Sequence, residues 1–128
     1  MKRALRDVVM ALVAATALPA WACGVCVEDK VAATYDHAVV TRAVERRHVV
    51  VFAAIEGSGD AQALSRRVRN AASRSAGVDR SSVRASADPA ALSFALDPRA
   101  AAPEAALAAI EKAASAPGLK LELLRVAR

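Results

Sequence analysis

Apolar and polar positions follow one another along this chain with periods that predict strands and helices in a regular order. An almost uninterrupted apolar run at residues 48–55 predicts a central strand that is covered on both faces. Two shorter runs, 82–87 and 92–96, alternate with period two on either side of a proline-containing turn, and they predict a hairpin. The run at 119–123 alternates in the same way and predicts an edge strand.

Helical spacing of apolar residues fills the gaps between these strands. Such spacing occurs between residues 60 and 77 and again between residues 103 and 117. The order of elements from residue 48 is therefore strand, helix, strand, strand, helix, strand. This order predicts an α+β fold, a ferredoxin-like βαββαβ sandwich over residues 48–128, with both helices on one face of an antiparallel sheet.

Residues 27–47 contain neither Gly nor Pro and predict one additional N-terminal helix. Its apolar stripe would contain Val31, Tyr35 and Val39. The second face of the sheet would otherwise expose apolar side chains such as Phe52. We therefore expect this helix to lie across that face, or a second copy of the chain to pack there in a homodimer.

Residues 1–22 have the three parts of a cleavable export signal. Basic residues at 2–6 precede an apolar run at 8–18 that is too short to cross a bilayer comfortably, and Ala-Trp-Ala at 20–22 forms the cleavage site. We expect a periplasmic or secreted protein that begins at or beside Cys23 and has no stable membrane span after cleavage. Acylation of Cys23 in a lipoprotein is one alternative, although residues 20–22 make a poor lipobox, and an uncleaved membrane anchor is another.

Composition and charge restrict the partners that we expect. Aromatic residues make up only 3% of the chain, whereas nucleic-acid platforms stack bases on exposed aromatic side chains, so we expect no nucleic-acid partner. Of the 18 basic and 13 acidic residues, three and one lie in the signal, which leaves a net charge of +3. Arg66, Arg67 and Arg69 form a basic cluster that indicates either a solvated helix face or an acidic partner or membrane surface.

Cys23 and Cys26 form the one constellation with evident chemistry. Two thiols three residues apart can bind one soft cation together or close into a disulfide. They precede the predicted helix at 27–47, whose unpaired N–H groups and dipole favour a thiolate. Two thiolates suit Cu(I), whereas Zn²⁺ needs two further ligands. His37 is a third candidate ligand, but it would lie about 16 Å from Cys26 along a continuous helix.

Three interpretations of the cysteine pair stay open. The first is a soft-metal site for Cu(I) or Zn²⁺ that exchanges its ion with a donor or acceptor protein. The second is a structural disulfide in a protein-interaction module, and the third is thiol–disulfide exchange in a redox protein. The sequence has no nucleophile elbow, Walker loop or dinucleotide-binding pattern, and we predict no catalytic residue.

The order of elements from His48 to Val126 resembles the heavy-metal-associated domain of copper chaperones and metal-pumping ATPases. In that family, the loop after the first strand carries Met-x-Cys-x-x-Cys and binds Cu(I) or a related ion. The corresponding loop here, Gly-Ser-Gly-Asp at 57–60, contains no cysteine. The resemblance therefore implies a fold and a role in metal handling, and no ligand of the family carries over to a position of this sequence.

Overall fold

A computed structural model describes residues 26–128, so the predicted signal at 1–22 and Cys23 lie outside the described residues. The helices and strands follow one another in the order α1 (Val27–Thr34), α2 (His37–Glu45), β1 (Val49–Glu56), α3 (Ala61–Ser73), β2 (Arg84–Ala87), β3 (Ala90–Leu96), α4 (Pro103–Ala114) and β4 (Lys120–Ala127). A 3₁₀ turn at Arg80–Ser82 precedes β2.

The four strands form one sheet in the order β2-β3-β1-β4, and all three neighbouring pairs are antiparallel. The predicted α+β class and the predicted hairpin are therefore confirmed. The two most apolar strands, β1 and β3, occupy the centre of the sheet, while β2 and β4 form its edges. Strand β4 is longer than predicted, because it pairs with β1 as far as Ala127.

The main core lies between one face of the sheet and the helices α3 and α4. Alternate residues of β1 point into this core, where they meet Phe94 of β3 and Ile110 of α4. Phe94 and Ile110 have none of their surface exposed. Since Ala, Val, Leu and Ile supply most of the remaining contacts, the core is built largely from small and branched side chains.

A second, smaller core lies on the opposite face of the sheet, beneath α1 and α2. It consists of Val31, Val39 and Ala43 from the helices and Val50, Phe52 and Ala95 from the strands. The prediction that the N-terminal segment covers this face is confirmed, and Phe52 is only 2% exposed within a single chain. Strand β1 is consequently buried along both faces from Val49 to Ile55.

The prediction of one continuous helix over residues 27–47 is wrong. Tyr35 and Asp36 have extended backbone conformations and separate α1 from α2. The Asp36 carboxylate accepts hydrogen bonds from two backbone N–H groups in the first turn of α2, at 2.9 and 3.3 Å. Aspartate is a better N-cap than an interior helix residue, and this preference explains the break. As a result Tyr35 is 51% exposed rather than buried, and Thr34 takes its place against the sheet.

The edge strand β2 begins two residues later than predicted, because Ser82 belongs to the preceding 3₁₀ turn. Ser82 is 1% exposed. Its hydroxyl accepts a hydrogen bond from the backbone N–H of Ala95 at 2.7 Å and donates one to the carbonyl of Asp79 at 2.6 Å. The Ser82 hydroxyl therefore serves as the acceptor for an N–H group of the central strand β3, at a position where the edge strand β2 has not yet begun.

Replacing Ser82 by alanine is expected to lower the free energy of unfolding by about 1–3 kcal/mol, because the Ala95 N–H would be left buried without an acceptor. Urea denaturation followed by circular dichroism measures this loss. Ser86→Ala is the matched control, since Ser86 is half-buried on β2 and its hydroxyl forms no hydrogen bond with residues 26–128. Equal losses in the two variants would contradict the assigned role of the Ser82 hydroxyl.

Candidate functional site

Cys26 is the N-cap residue of α1. Its backbone is extended, with φ −79° and ψ 171°, and its carbonyl accepts hydrogen bonds from the N–H groups of Asp29 and Lys30 at 3.1 and 3.2 Å. The side chain itself makes no capping hydrogen bond. The backbone of Cys26 therefore starts the helix while the sulfur stays available for other contacts.

Among the described residues, the thiol of Cys26 has no disulfide partner, and it is partly buried. It donates a hydrogen bond to Oδ2 of Asp29 at a distance of 3.4 Å. The other acidic residue in the first turn, Glu28, forms an ion pair with Arg125 of β4 instead. The two carboxylates of this turn thus have different roles. Asp29 accepts a hydrogen bond from the Cys26 thiol, and Glu28 connects the start of α1 to the last strand through its ion pair with Arg125.

The predicted pair of Cys23 and Cys26 is described only at Cys26, because Cys23 lies outside the described residues. Within residues 26–128, no group of three or more His, Cys, Asp or Glu side chains is placed to hold a metal ion. Because α1 and α2 are separate helices, the distance that we expected between Cys26 and His37 along one continuous helix does not apply. His37 nevertheless begins α2 with its Nδ1 atom 3.4 Å from the hydroxyl of Tyr35, and it joins no such group.

Three ion pairs fasten α1 and α2 to the rest of the domain. Besides the pair of Glu28 with Arg125, the guanidinium of Arg84 donates two hydrogen bonds to Asp36, at 3.0 and 3.2 Å. Arg46 lies 3.5 Å from a carboxylate oxygen of Asp79. The partners are 97, 48 and 33 residues apart in the sequence. Periodicity carries no signal for such pairs, so sequence reasoning did not find them.

Two of these carboxyl groups have pKa values below the ordinary value for aspartate. For Asp36, the hydrogen bond from Arg84 is the main cause of the lowered pKa, and the backbone N–H of Val39 adds to it. For Asp79, partial burial acts in the opposite direction, but hydrogen bonds from Ser81 outweigh it and the net pKa is lowered. The folded chain therefore favours the ionised form of both carboxyl groups more than the unfolded chain does.

We expect the stability of the domain to fall in acid. Because the pKa of Asp36 is lower in the folded chain than its unfolded value of 3.8, the carboxylate stabilises the fold. This stabilisation is complete at pH values above 3.8, and it is lost as the pH falls through the pKa of the folded state. In urea denaturation between about pH 6 and 2, Asp36→Asn should be less stable than the wild type at pH 6 and should show a smaller decrease below about pH 4. Asp88→Asn, in the exposed hairpin turn, is the control. An unchanged acid slope in Asp36→Asn would contradict this assignment.

Comparison with known proteins gives no family for this chain: no protein-family model matches it, and no curated protein or solved structure matches it either. Among the described residues, no helix has both the length and the apolar character that crossing a membrane requires.

Proposed function

We propose that this chain is an exported, ferredoxin-like protein that binds a soft metal ion, Cu(I) or a similar cation, between Cys23 and Cys26. The observation that supports the proposal is the position of Cys26, whose partly buried thiol stands at the first turn of α1 and is not used for capping. With Cys23 three residues earlier, a second sulfur is within reach of the same ion.

The chemistry of this position suits a thiolate–metal unit. Soft thiolate ligands select Cu(I) and Zn²⁺ over hard cations, and two thiolates satisfy Cu(I). The unpaired N–H groups and the positive end of the α1 dipole favour the negative charge of bound thiolates. Zn²⁺ would require further donors, and the Asp29 carboxylate, with Oδ2 3.4 Å from the Cys26 sulfur, is a candidate. An ion bound by two sulfurs can be received from a donor protein, or passed to an acceptor protein, by ligand exchange.

The strand order supports the ferredoxin-like assignment and the topological resemblance to heavy-metal-associated domains. In the order β2-β3-β1-β4, each crossover passes through one helix, α3 or α4, and both helices share the main core. The proposed site nevertheless differs from that family in position. It lies at the start of α1 beside Arg125, which pairs with Phe52 in the middle of β1, whereas the loop at 57–60 follows the end of β1, where Glu56 pairs with Lys120.

The reduced protein should bind one equivalent of Cu(I) in a titration against a chromophoric Cu(I) chelator. The Cys23→Ser, Cys26→Ser double variant should lose this binding, because no second pair of thiols exists in the chain. His37→Ala is the matched control and should bind as the wild type does if two sulfurs suffice. Equally tight binding by the double variant would refute the proposal.

An intact-mass measurement of the native protein separates the remaining alternatives. Cleavage after residue 22 and acylation of Cys23 each give a distinct mass, and a disulfide lowers the mass by two hydrogens. A native protein with that disulfide and no bound metal would support the interaction-module interpretation instead.

A further inference from the structure

The solvent face of α3 is basic and contains no balancing acid. Four exposed arginines lie on this helix or at its C-cap: Arg66, Arg67, Arg69 and Arg74. No Asp or Glu occurs between residues 61 and 74. The ion pairs within residues 26–128 use other arginines, namely Arg46, Arg84, Arg99 and Arg125. We call the four residues on α3 the arginine face.

Helix geometry spreads these charges over one continuous surface. Arg66 and Arg69 are one turn apart, about 4.5 Å along the axis, and Arg67 and Arg74 are two turns apart, about 10 Å. Val68, Ala71 and Ala72 lie on the opposite side of the helix and are buried in the main core. The core therefore holds α3 in place through its apolar side, and the arginine face projects outward.

The stability of the fold does not account for this face. Like charges one turn apart destabilise a helix by a few tenths of a kcal/mol. Elsewhere in the described chain, arginines such as Arg84 and Arg125 are paired with carboxylates that join separate elements. The arginines of α3 join nothing within residues 26–128, so their charge is available for an external partner.

An open cleft of about 410 Å³ adjoins the arginine face. Arg67, Ala63 and Leu64 of α3 form one wall, and Ala116 and Pro117 of the connection between α4 and β4 form the other. The Asp60 carboxylate at its rim is occupied as the N-cap of α3, where it accepts a hydrogen bond from the Gln62 N–H at 3.0 Å. The cleft thus offers apolar contacts for one side chain next to a row of cations.

These features favour a protein partner over a membrane surface. The large apolar side chains that the described residues expose, Val27, Tyr35 and Val44, belong to α1, α2 and the break between them, on the opposite face of the sheet. The helix α3 therefore has no large apolar group to insert into a bilayer, as interfacial helices do. Arginine binds carboxylates through two parallel hydrogen bonds, which suits an acidic peptide segment.

We propose that the arginine face and the adjoining cleft bind an acidic segment of another protein, which presents carboxylates to Arg66, Arg67 and Arg69 and one apolar side chain to the cleft. This inference does not depend on the metal site, because it uses no residue of α1 and requires no cysteine.

The test uses the purified protein and a synthetic Glu-rich peptide of twelve residues with one central leucine, followed by fluorescence anisotropy. The Arg66→Gln, Arg67→Gln, Arg69→Gln triple variant should bind about tenfold more weakly, since each exposed pair contributes up to about 1 kcal/mol. The control removes the same charge at positions outside α3 and the cleft, in Lys30→Gln, Arg47→Gln, Arg128→Gln, and should change the affinity less than about threefold. Replacing the peptide leucine by serine should weaken binding several-fold, through loss of the cleft contact.

Two further measurements separate folding and membrane effects from peptide recognition. Thermal unfolding of the triple variant should be unchanged or slightly improved, since a like-charge repulsion is removed, and the peptide should shift the amide resonances of α3 in the wild type. Equal weakening in the triple variant and its control would overturn the proposal. It would also be overturned by no peptide binding, or by binding only to vesicles that contain one third phosphatidylglycerol.

Discussion

Replacing Phe94 by alanine is expected to lower the free energy of unfolding by about 3–5 kcal/mol, the usual effect of removing a buried aromatic side chain. Phe94 lies on β3 in the main core, beneath α3 and α4, with none of its surface exposed. Domains of this size are stable by about 5–15 kcal/mol, so this loss is a large fraction of the total stability. Urea denaturation followed by far-ultraviolet circular dichroism measures the loss.

Tyr35→Ala is the matched control for Phe94→Ala. It removes an aromatic ring of similar size, but from a side chain that is 51% exposed at the break between α1 and α2. A surface truncation of this kind should change the free energy of unfolding by less than about 1 kcal/mol. Comparable losses in the two variants would contradict the described burial of Phe94.

Phe52→Ala is expected to destabilise the protein by about 3 kcal/mol, and the effect should be concentrated in α1 and α2. Among residues 26–128, Phe52 is the one aromatic residue in the second core, where it supports Val31, Val39 and Ala43 of the two helices. Removal of its ring should leave these helices with little apolar contact to the sheet, while the main core keeps its packing.

Native-state hydrogen exchange distinguishes this local effect from a global one. In Phe52→Ala, the amides of α1 and α2 should lose protection well before those of α3 and α4. In Phe94→Ala, all elements should lose protection together, because Phe94 belongs to the core that α3 and α4 share with the sheet. Uniform loss of protection in Phe52→Ala would show that the N-terminal helices are not a separable layer.

Much of the fold could be predicted from periodicity, because periodicity reports burial. The run at 48–55 is apolar at every step, and the corresponding strand β1 is buried on both faces. The break at Asp36 could not be predicted in the same way. An aspartate that follows Tyr35 fits either a solvated helix position or an N-cap, and its pairing with Arg84, 48 residues away, is visible only in three dimensions.

Ser82 illustrates the same limit at the edge of the sheet. Its position in the alternating run at 82–87 predicted a strand residue, yet its hydroxyl bonds the Ala95 N–H from within a 3₁₀ turn. A hydroxyl that replaces a backbone partner has the same sequence pattern as one that faces water. The spacing of residues therefore does not predict a hydrogen bond from the backbone to a serine side chain.

The candidate site could be predicted in part. The position of Cys26 immediately before a helix was expected, and the structure confirms it. The contact of Asp29 with the sulfur was missed, although a spacing of three residues at a helix start could have indicated it. The role of the cysteine pair in metal binding stays a prediction, to be tested by the Cu(I) titration.

The ion pair of Glu28 with Arg125 has a consequence for the order in which the molecule can be assembled. A chain is delivered from its N-terminus, so α1 and α2 emerge before every strand on which they rest. Arg125 arrives 97 residues after Glu28, when β4 completes the sheet. Until then the apolar side chains of residues 27–45 lack the complete sheet that buries them in the folded protein, and transiently exposed apolar surface of this kind promotes aggregation.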